Sequence, residues 1–518
     1  MSCDPGRRRM YRPLVPGLEG VWAPAVHSNC LHNERAALLQ RTLGPMPEVP
    51  VGALVKRQFA HLRLMARRSG VERMTRESVA LSYSGRLRKR YLAALDSLRE
   101  DPVSSRDAKI RAFLKAEKFN PLAKASKPRM IMARDPRFNL ELATYLKPIE
   151  AWLWRRWKVG FGGVNRSRVV GKGLDGPGRA RLIARKMEEV GECVVFEVDG
   201  KAFEAHVTEE LLTLEHSVYM TAFPRDSHLR WLLSCQRRLS GRTAGGIRYS
   251  RRGGRASGDY NTGLGNTMVM AAVVLGAVQL FEQRFGSIRG TILADGDNCL
   301  LFVGRSRAEE FRSVFGSLVE EVSPLELAVE KPSTLLEGCM FGQSRPCKTG
   351  RGLTMVRDPW KVLSHSTSGY RHFDQRVFGL RMLKAISECE LTLALGVPVL
   401  QTWFVEVFDS LERLGVKDLP NPELYLEPRL IGASTRRHVR SEVVGVTAEA
   451  RLSFELAWGL SVEQQEEMEA RIRDGMRGLR WDLDSRNWLL KEVLVGDAGV
   501  SWCGSFEPNA ELYLGEVC

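Results

Sequence analysis

Cysteine is sparse and unpaired in this chain of 518 residues: ten are scattered along it, none as CxxC. That excludes the disulfide framework on which small secreted domains rely, and it predicts reduced thiols in a cytosolic setting. The cluster His27-Ser28-Asn29-Cys30-Leu31-His32 has no second half at ligand spacing, so a zinc site does not follow from it. Long apolar runs are equally scarce. The longest, MVMAAVVLGAVQLF from Met268 to Phe281, falls short of the roughly 20 residues that cross a bilayer and reads as a buried helix. The opening MSCDPGRRRMYRP has no apolar h-region, so no signal peptide is expected. Nucleotide-binding fingerprints are missing too. In GKG at Gly171 to Gly173 a glycine stands where a P-loop needs Ser or Thr, and after Gly263 and Gly265 the third fingerprint position is Met268. Internal repeats and long low-complexity segments are absent.

What the chain does have is segregated charge. Its 77 basic and 61 acidic residues give a net charge of +16. Residues 51–190 hold 33 basic and 13 acidic residues, whereas residues 360–518 hold 18 basic and 24 acidic. A field confined to one part of the molecule attracts polyanions and speeds their capture, although a basic surface without a specific partner would look the same. With 27% charged and 44% hydrophobic residues the chain is neither disordered nor a membrane bundle. Its length allows several subdomains around a large core.

Residues 1–50 are rich in Pro and Gly and read as loops. From Val51 to Arg99 the spacing is helical and Arg-rich, as in SYSGRLRKRYLAALDSLRE. Between Ala112 and Glu150 basic and apolar residues alternate around PRMIMA, as in a strand with one charged face. RARLIARKMEEV, from Arg179 to Val190, has helical spacing and precedes ECVVFEVDG, a β-rich run that ends in an acid. Beyond Pro359, amphipathic runs such as VEQQEEMEARI predict a separate helical subdomain.

Three short stretches carry candidate chemistry. In FEVDGKAFEAHV, Asp199 ends a short strand and Glu204 follows five residues later. In SGDYNTGLGN, Ser257, Thr262 and Asn266 lead into the apolar helix. In ILADGDNCLLF, Asp295-Gly296-Asp297-Asn298 interrupts two apolar runs, and these are residues that suit a hairpin turn. Each stretch alone has an ordinary explanation, such as a turn or a helix cap. Their order and spacing carry the signal. Two acids at the ends of neighbouring buried strands are costly unless something cationic neutralises them. A pair of magnesium ions about 3.5–4 Å apart would do so and could support in-line displacement at phosphorus.

The sequence resembles viral RNA-dependent RNA polymerases, specifically the tombusvirus-like group. FEVDGKAFEAHV resembles motif A of that family, SGDYNTGLGN its motif B and ADGDN its motif C. KPRMIMARDPRFNLELATYLKPIE resembles the basic finger motif F, and VVGKGLDGPGRARLIARKM the segment leading into motif A. GQSRP and TMVRDPWKVLS resemble the motif E region, while AVHSNCLHNERAALLQR and SYSGRLRKRYLAAL also look familial. The similarity runs from about Pro13 to Thr367.

The resemblance implies an α+β right-hand polymerase with fingers, an antiparallel RRM-like palm and a thumb. It divides the chain into an N-terminal region with fingertips (1–100), basic fingers (101–195), palm (196–210), a fingers insertion (211–252), palm again (253–358) and a helical thumb (359–518). Asp199 and Asp297 would be the ligands of two Mg2+ or Mn2+ ions, with Asn298 beside them. Ser257, Thr262 and Asn266 would line the ribose of the incoming nucleotide, with Glu204 bonded to Asn266 and sensing the 2′-hydroxyl. Lys127 and Arg129 would bind the triphosphate, assisted by Lys118, Arg134 and Arg137. The implied partners are RNA template and product, nucleoside triphosphates, and a viral membrane-anchoring replication protein. The last would place the chain at membrane-associated replication complexes in the host cytoplasm.

Two departures stand out. Glu204 replaces the usual Asp in motif A, and motif C reads Gly-Asp-Asn rather than Gly-Asp-Asp. Asp295 is read as a turn residue that could restore some charge, and Lys331 as the nearest candidate general acid or, equally, a solvated lysine. Rival readings are an inactive polymerase-shaped RNA-binding protein, a reverse transcriptase and a basic scaffold.

Overall fold

A computed structural model describes residues 10–123, 126–426, 430, 439–477, 479 and 499–500. Its fold is α+β, as the resemblance implies. At its centre strands Leu327–Val329, Cys193–Gly200, Asn298–Gly304 and Gly290–Asp295 lie side by side in that order, all antiparallel. One face of this sheet contributes Phe196, Val198, Ile292, Cys299, Leu301 and Val303 to a core shared with helix Thr262–Phe285. From the other face Val195, Leu293, Leu300 and Phe302 pack with Ile183 and Val190 of helix Gly176–Val190 and with Phe341. Because both faces are covered, Cys299 to Val303 can be apolar without alternation. That is why the runs flanking the Asp-Gly-Asp-Asn turn look buried.

Helix Thr262–Phe285 is longer than its apolar run suggests, because the small residues TGLGNT join its first turns. Its length and composition would suffice to cross a membrane, yet 89% of its most apolar stretch is buried inside the protein. Here it is a core helix. The helix before the central strand starts at Gly176, three residues ahead of the Arg179–Val190 stretch with helical spacing. Asp175 accepts from Gly178 N, and Pro177 fits the first turn, where no N–H is needed.

A second four-stranded sheet has the order Met130–Ala133, Ile110–Leu114, Arg238–Thr243 and Arg248–Arg252. Burial alternates along Ile110–Leu114 and Met130–Ala133, as the half-charged pattern around PRMIMA predicts. The hairpin from Arg238 to Arg252 joins this sheet through a parallel pairing with Ile110–Ala112. In the C-terminal part, helices Arg376–Ala394, Leu400–Arg413, Ala448–Trp458 and Val462–Arg477 enclose a core that includes Leu383, Trp403, Phe404, Phe454 and Ile472. Those parts of the 359–518 expectation that fall on 427–429, 431–438, 478, 480–498 and 501–518 lie outside the described residues.

The first 50 residues depart from the loop-rich expectation. Leu31–Ala37 is an α-helix that continues as a π-helical turn over Leu38–Thr42. The segment before it straps across the molecule. Tyr11 bridges to Gly369, Leu14 and Leu18 enter the C-terminal core, and Trp22 N donates to Ser364 Oγ at 3.1 Å. Ala25 bridges to Phe119, so the strap touches the front sheet's loop as well.

Candidate active site

Asp297 occupies a two-residue hairpin loop between Asp295 and Asn298. Gly296 precedes it with φ of +67°, a backbone that a side chain at this position would resist. The turn is also anchored from below. Thr267 Oγ1, on the apolar helix, accepts from Gly296 N at 2.8 Å and donates to Gly263 O at 2.7 Å. Across the sheet Asn298 lies directly opposite Asp199, and Gly200 N donates to Asp297 O at 3.2 Å. The register therefore brings Asp199 and Asp297 to one end of the sheet. Burial first, and the Asp297 charge second, raise the pKa of the Asp199 carboxyl.

Glu197 joins this acidic end. Asn298 Nδ2 donates to Glu197 Oε1 at 2.8 Å, and the oxygen of that amide, Asn298 Oδ1, is buried without a partner. Burial raises the Glu197 pKa, the Asn298 bond lowers it, and Asp199 and Glu330 raise it further. Among the described residues no three His, Cys, Asp or Glu side chains form a ready-made metal cluster. Two crowded carboxylates and an orphaned amide oxygen nevertheless make an oxygen-only donor set of the kind hard divalent cations take.

Beside the acids lies a small pocket lined by Arg41, Thr42, Lys115, Arg129, Met130, Ile131, Met132, Ala202, Glu204, Ala205, Leu239, Arg255 and Ser257. Glu204 sits on the short helix Phe203–His206. Its pKa is raised by burial and by Asp297, against Arg129, Arg41 and Arg255, which lower it. Ser257 Oγ accepts from Met132 N and donates to Met130 O, each at 3.2 Å, so it ties this loop to the strand that follows Arg129. Gly258 makes the same approach with its backbone: a Cβ there would lie 2.5 Å from Met132 O. Thr262 Oγ1 donates to Ala256 O and Asp259 O, which makes it a helix-start residue.

Several expected residues are placed otherwise. Glu204 does not bond to Asn266. Asn266 Oδ1 accepts instead from Arg255 Nε at 2.9 Å, and Arg255 forms a fully buried ion pair with Glu215. Lys118 Nζ donates to His365 O at 2.7 Å and Ser368 O at 2.9 Å, so its ammonium ties the front loop to the C-terminal part rather than facing the pocket. Arg134 is buried against Asp259 at 2.6 Å and lies over the Phe138 ring. Arg137 bonds Asp107 and the carbonyls of Asp101 and Pro102. An acid and two carbonyls thus hold Arg137, while Asp259 and Ala108 O hold the Nε and Nη1 of Arg134 and leave its Nη2 buried without a partner. Asp295 pairs with Arg179 at 2.8 Å, so its charge is already neutralised. Lys331 is exposed beyond the edge strand. Lys127 is exposed on the loop before Arg129 and, among the described residues, makes no hydrogen bond or ion pair.

Sequence reasoning missed Arg41, Glu197, Glu215, Arg255 and Thr267. Glu197 and Arg255 stand two residues from Asp199 and Ser257, a proximity that could have flagged them. Arg41 ends the familial stretch AVHSNCLHNERAALLQR without any chemical role suggested there, and Glu215 carries no local signal; only the fold brings them near.

The family described as viral RNA-dependent RNA polymerase matches residues 14–476 of the chain. The RNA-directed RNA polymerase of Tobacco necrosis virus (strain A) is 30% identical over 481 residues, covering 90% of this chain and 64% of that protein. The RNA-directed RNA polymerase of Turnip crinkle virus is 30% identical over 514 residues, covering 95% and 64%. That of Tomato bushy stunt virus (strain Cherry) is 28% identical over 512 residues, covering 96% and 58%. The chain thus spans less than two thirds of the length of these relatives. With a match that runs through both sheets and most of the C-terminal helices, the chain belongs to the viral RNA-dependent RNA polymerases and is similar to those of the tombusvirus group.

Proposed function

We propose that the chain copies RNA templates, joining nucleoside triphosphates to the 3′-hydroxyl of a growing RNA, and so replicates a positive-strand viral genome. One observation carries the reading: Asp199 and Asp297 meet at the end of the central sheet, beside a pocket that holds Arg129 and Arg41. The right-hand arrangement is part of the same reading. The central sheet and its helices (196–210 and 253–358) serve as palm, 101–195 and 211–252 as fingers, 1–100 as N-terminal region with fingertips, and 359–518 as thumb.

Asp199, Asp297 and the free Oδ1 of Asn298 would hold two divalent cations, Mg2+ or Mn2+, whose chemistry is to neutralise phosphate charge and acidify the attacking hydroxyl. The chain's own groups do the rest by placement. Arg129 and, from the exposed loop before it, Lys127 take the charge of the triphosphate, and pyrophosphate leaves towards them. Glu204, Ser257 and Asn266 border the ribose, and Thr262 fixes the start of the helix that presents Asn266. The basic front third holds template and product by phosphate contacts that read no sequence. Membrane attachment comes from a viral partner, which places the chain at membrane-associated complexes in the host cytoplasm.

Primer extension on an RNA template tests the reading. Wild type adds ribonucleotides with Mg2+ or Mn2+ and discriminates against deoxyribonucleotides, whereas Asp297→Ala loses at least about 100-fold in rate. Equal activity of the two proteins, or no incorporation by wild type, would overturn it.

A further inference from the structure

Arg41 lies in the N-terminal segment, 158 residues before Asp199 in sequence, and belongs to none of the stretches that suggest chemistry. Three observations single it out. It stands in a π-helical turn, Leu38–Thr42, a distortion that recurs at functional sites. It lines the pocket shared by Arg129, Glu204 and Ser257. Its Nε is buried and has no hydrogen-bond partner, and no ion pair to the guanidinium occurs among the described residues. Burial and the like charge of Arg129 lower the Arg41 pKa, while Glu204, Glu117 and Asp297 counteract them.

A guanidinium held beside another guanidinium, with a donor unsatisfied, is costly unless an anion completes the pair. The segment cannot swing away to solvent. Glu34 accepts from Thr243 Oγ1 at 2.6 Å and from Gly245 N at 2.9 Å. From the other side Arg251 Nη1 donates to Thr42 O at 2.7 Å. The turn is therefore fixed before any ligand arrives.

We infer that Arg41 is a phosphate-binding residue that, with Arg129, clamps the polyphosphate of the incoming nucleotide. The inference rests on the polymerase reading and extends it to a residue outside the basic finger. The small pocket next to the Asp297 hairpin favours a compact polyphosphate over the backbone of a long RNA. Two planar forks on either side of such a group make the bidentate contacts that guanidinium geometry allows.

The test uses the full chain. In primer extension Arg41→Gln raises the KM for all four ribonucleoside triphosphates about tenfold, the loss expected for one charge-assisted hydrogen bond. Inhibition by inorganic pyrophosphate weakens by a similar factor, kcat changes less, and affinity for single-stranded RNA stays the same. An unchanged KM overturns the inference, as does an equal loss of RNA affinity, which would make the ligand an RNA backbone phosphate. So does disappearance of the effect in a Glu204→Gln background, which would reduce Arg41 to a neutraliser of Glu204. A measurement without a variant guards against misfolding. Phenylglyoxal modification of Arg41 in wild type, followed by peptide mass spectrometry, is slowed by pyrophosphate, and lack of protection overturns the inference. If wild type incorporates nothing, the polymerase reading itself fails, an outcome distinct from all of these.

Discussion

Asn298 donates to Glu197 with one end of its amide and leaves the other end buried and unpartnered. Aspartate at 298 could not donate, and it would set a second carboxylate against a Glu197 that burial already disfavours in its charged form. We expect Asn298→Asp to lower stability by about 1–3 kcal/mol at pH 8. Protonation of either carboxyl restores a donor between them, so the deficit is present above the raised Glu197 pKa and shrinks as pH falls through it. Adding Glu197→Gln reverses the polarity of the bond and recovers most of the loss. Chemical denaturation of the single and double variants at two pH values checks this, and a double variant no better than Asn298→Asp refutes it. The Asn was legible in the sequence as a departure, but its partner was not, because the pairing arises from cross-strand register rather than from neighbouring residues. The same limit explains Lys118, Arg134 and Arg137. Basic residues beside PRMIMA look alike in sequence, and only burial tells which of them already have a carbonyl or an acid to bond.

The hairpin that carries Asp297 is an element whose tip is set by a different element. Thr267 Oγ1 on the apolar helix accepts from the amide of Gly296, so the turn sits at a fixed height above the helix. Thr267→Val keeps the shape and removes the acceptor, leaving a turn amide unpaired. The expected cost is about 1–2 kcal/mol in urea denaturation, with a fall in kcat larger than any change in KM for nucleotide. An unaltered kcat would mean that the turn holds its place without the helix. The elements themselves were largely readable. Periodicity marked the C-terminal part as helical without placing its individual helices, and it placed the alternating strand after Arg129 and the buried runs around the turn. The π-helical turn and the strap were not readable, since Pro and Gly in the first 50 residues look like loop wherever their tertiary partners are unknown.

At the scale of the whole molecule the basic excess of residues 51–190 is the dominant long-range feature. Single-stranded RNA contacting about five phosphates should lose about 100-fold in affinity between about 50 and 200 mM salt. Filter binding with RNAs of unrelated sequence should give the same slope. A flat response would show that the charge is surface decoration. Both the charge asymmetry and the family resemblance were visible from sequence; which lysines and arginines face RNA was not, since a third dimension selects them.

The strap has a consequence for how the protein is made. Tyr11, Leu14 and Trp22 find their partners at Gly369, in the C-terminal core and at Ser364, about 340 residues later in the chain. At roughly 5–20 residues per second, a ribosome needs tens of seconds to supply those partners after the strap itself emerges. Until then the strap has nothing to fasten to, and a message truncated before Ser364 yields a chain in which that segment stays unmoored.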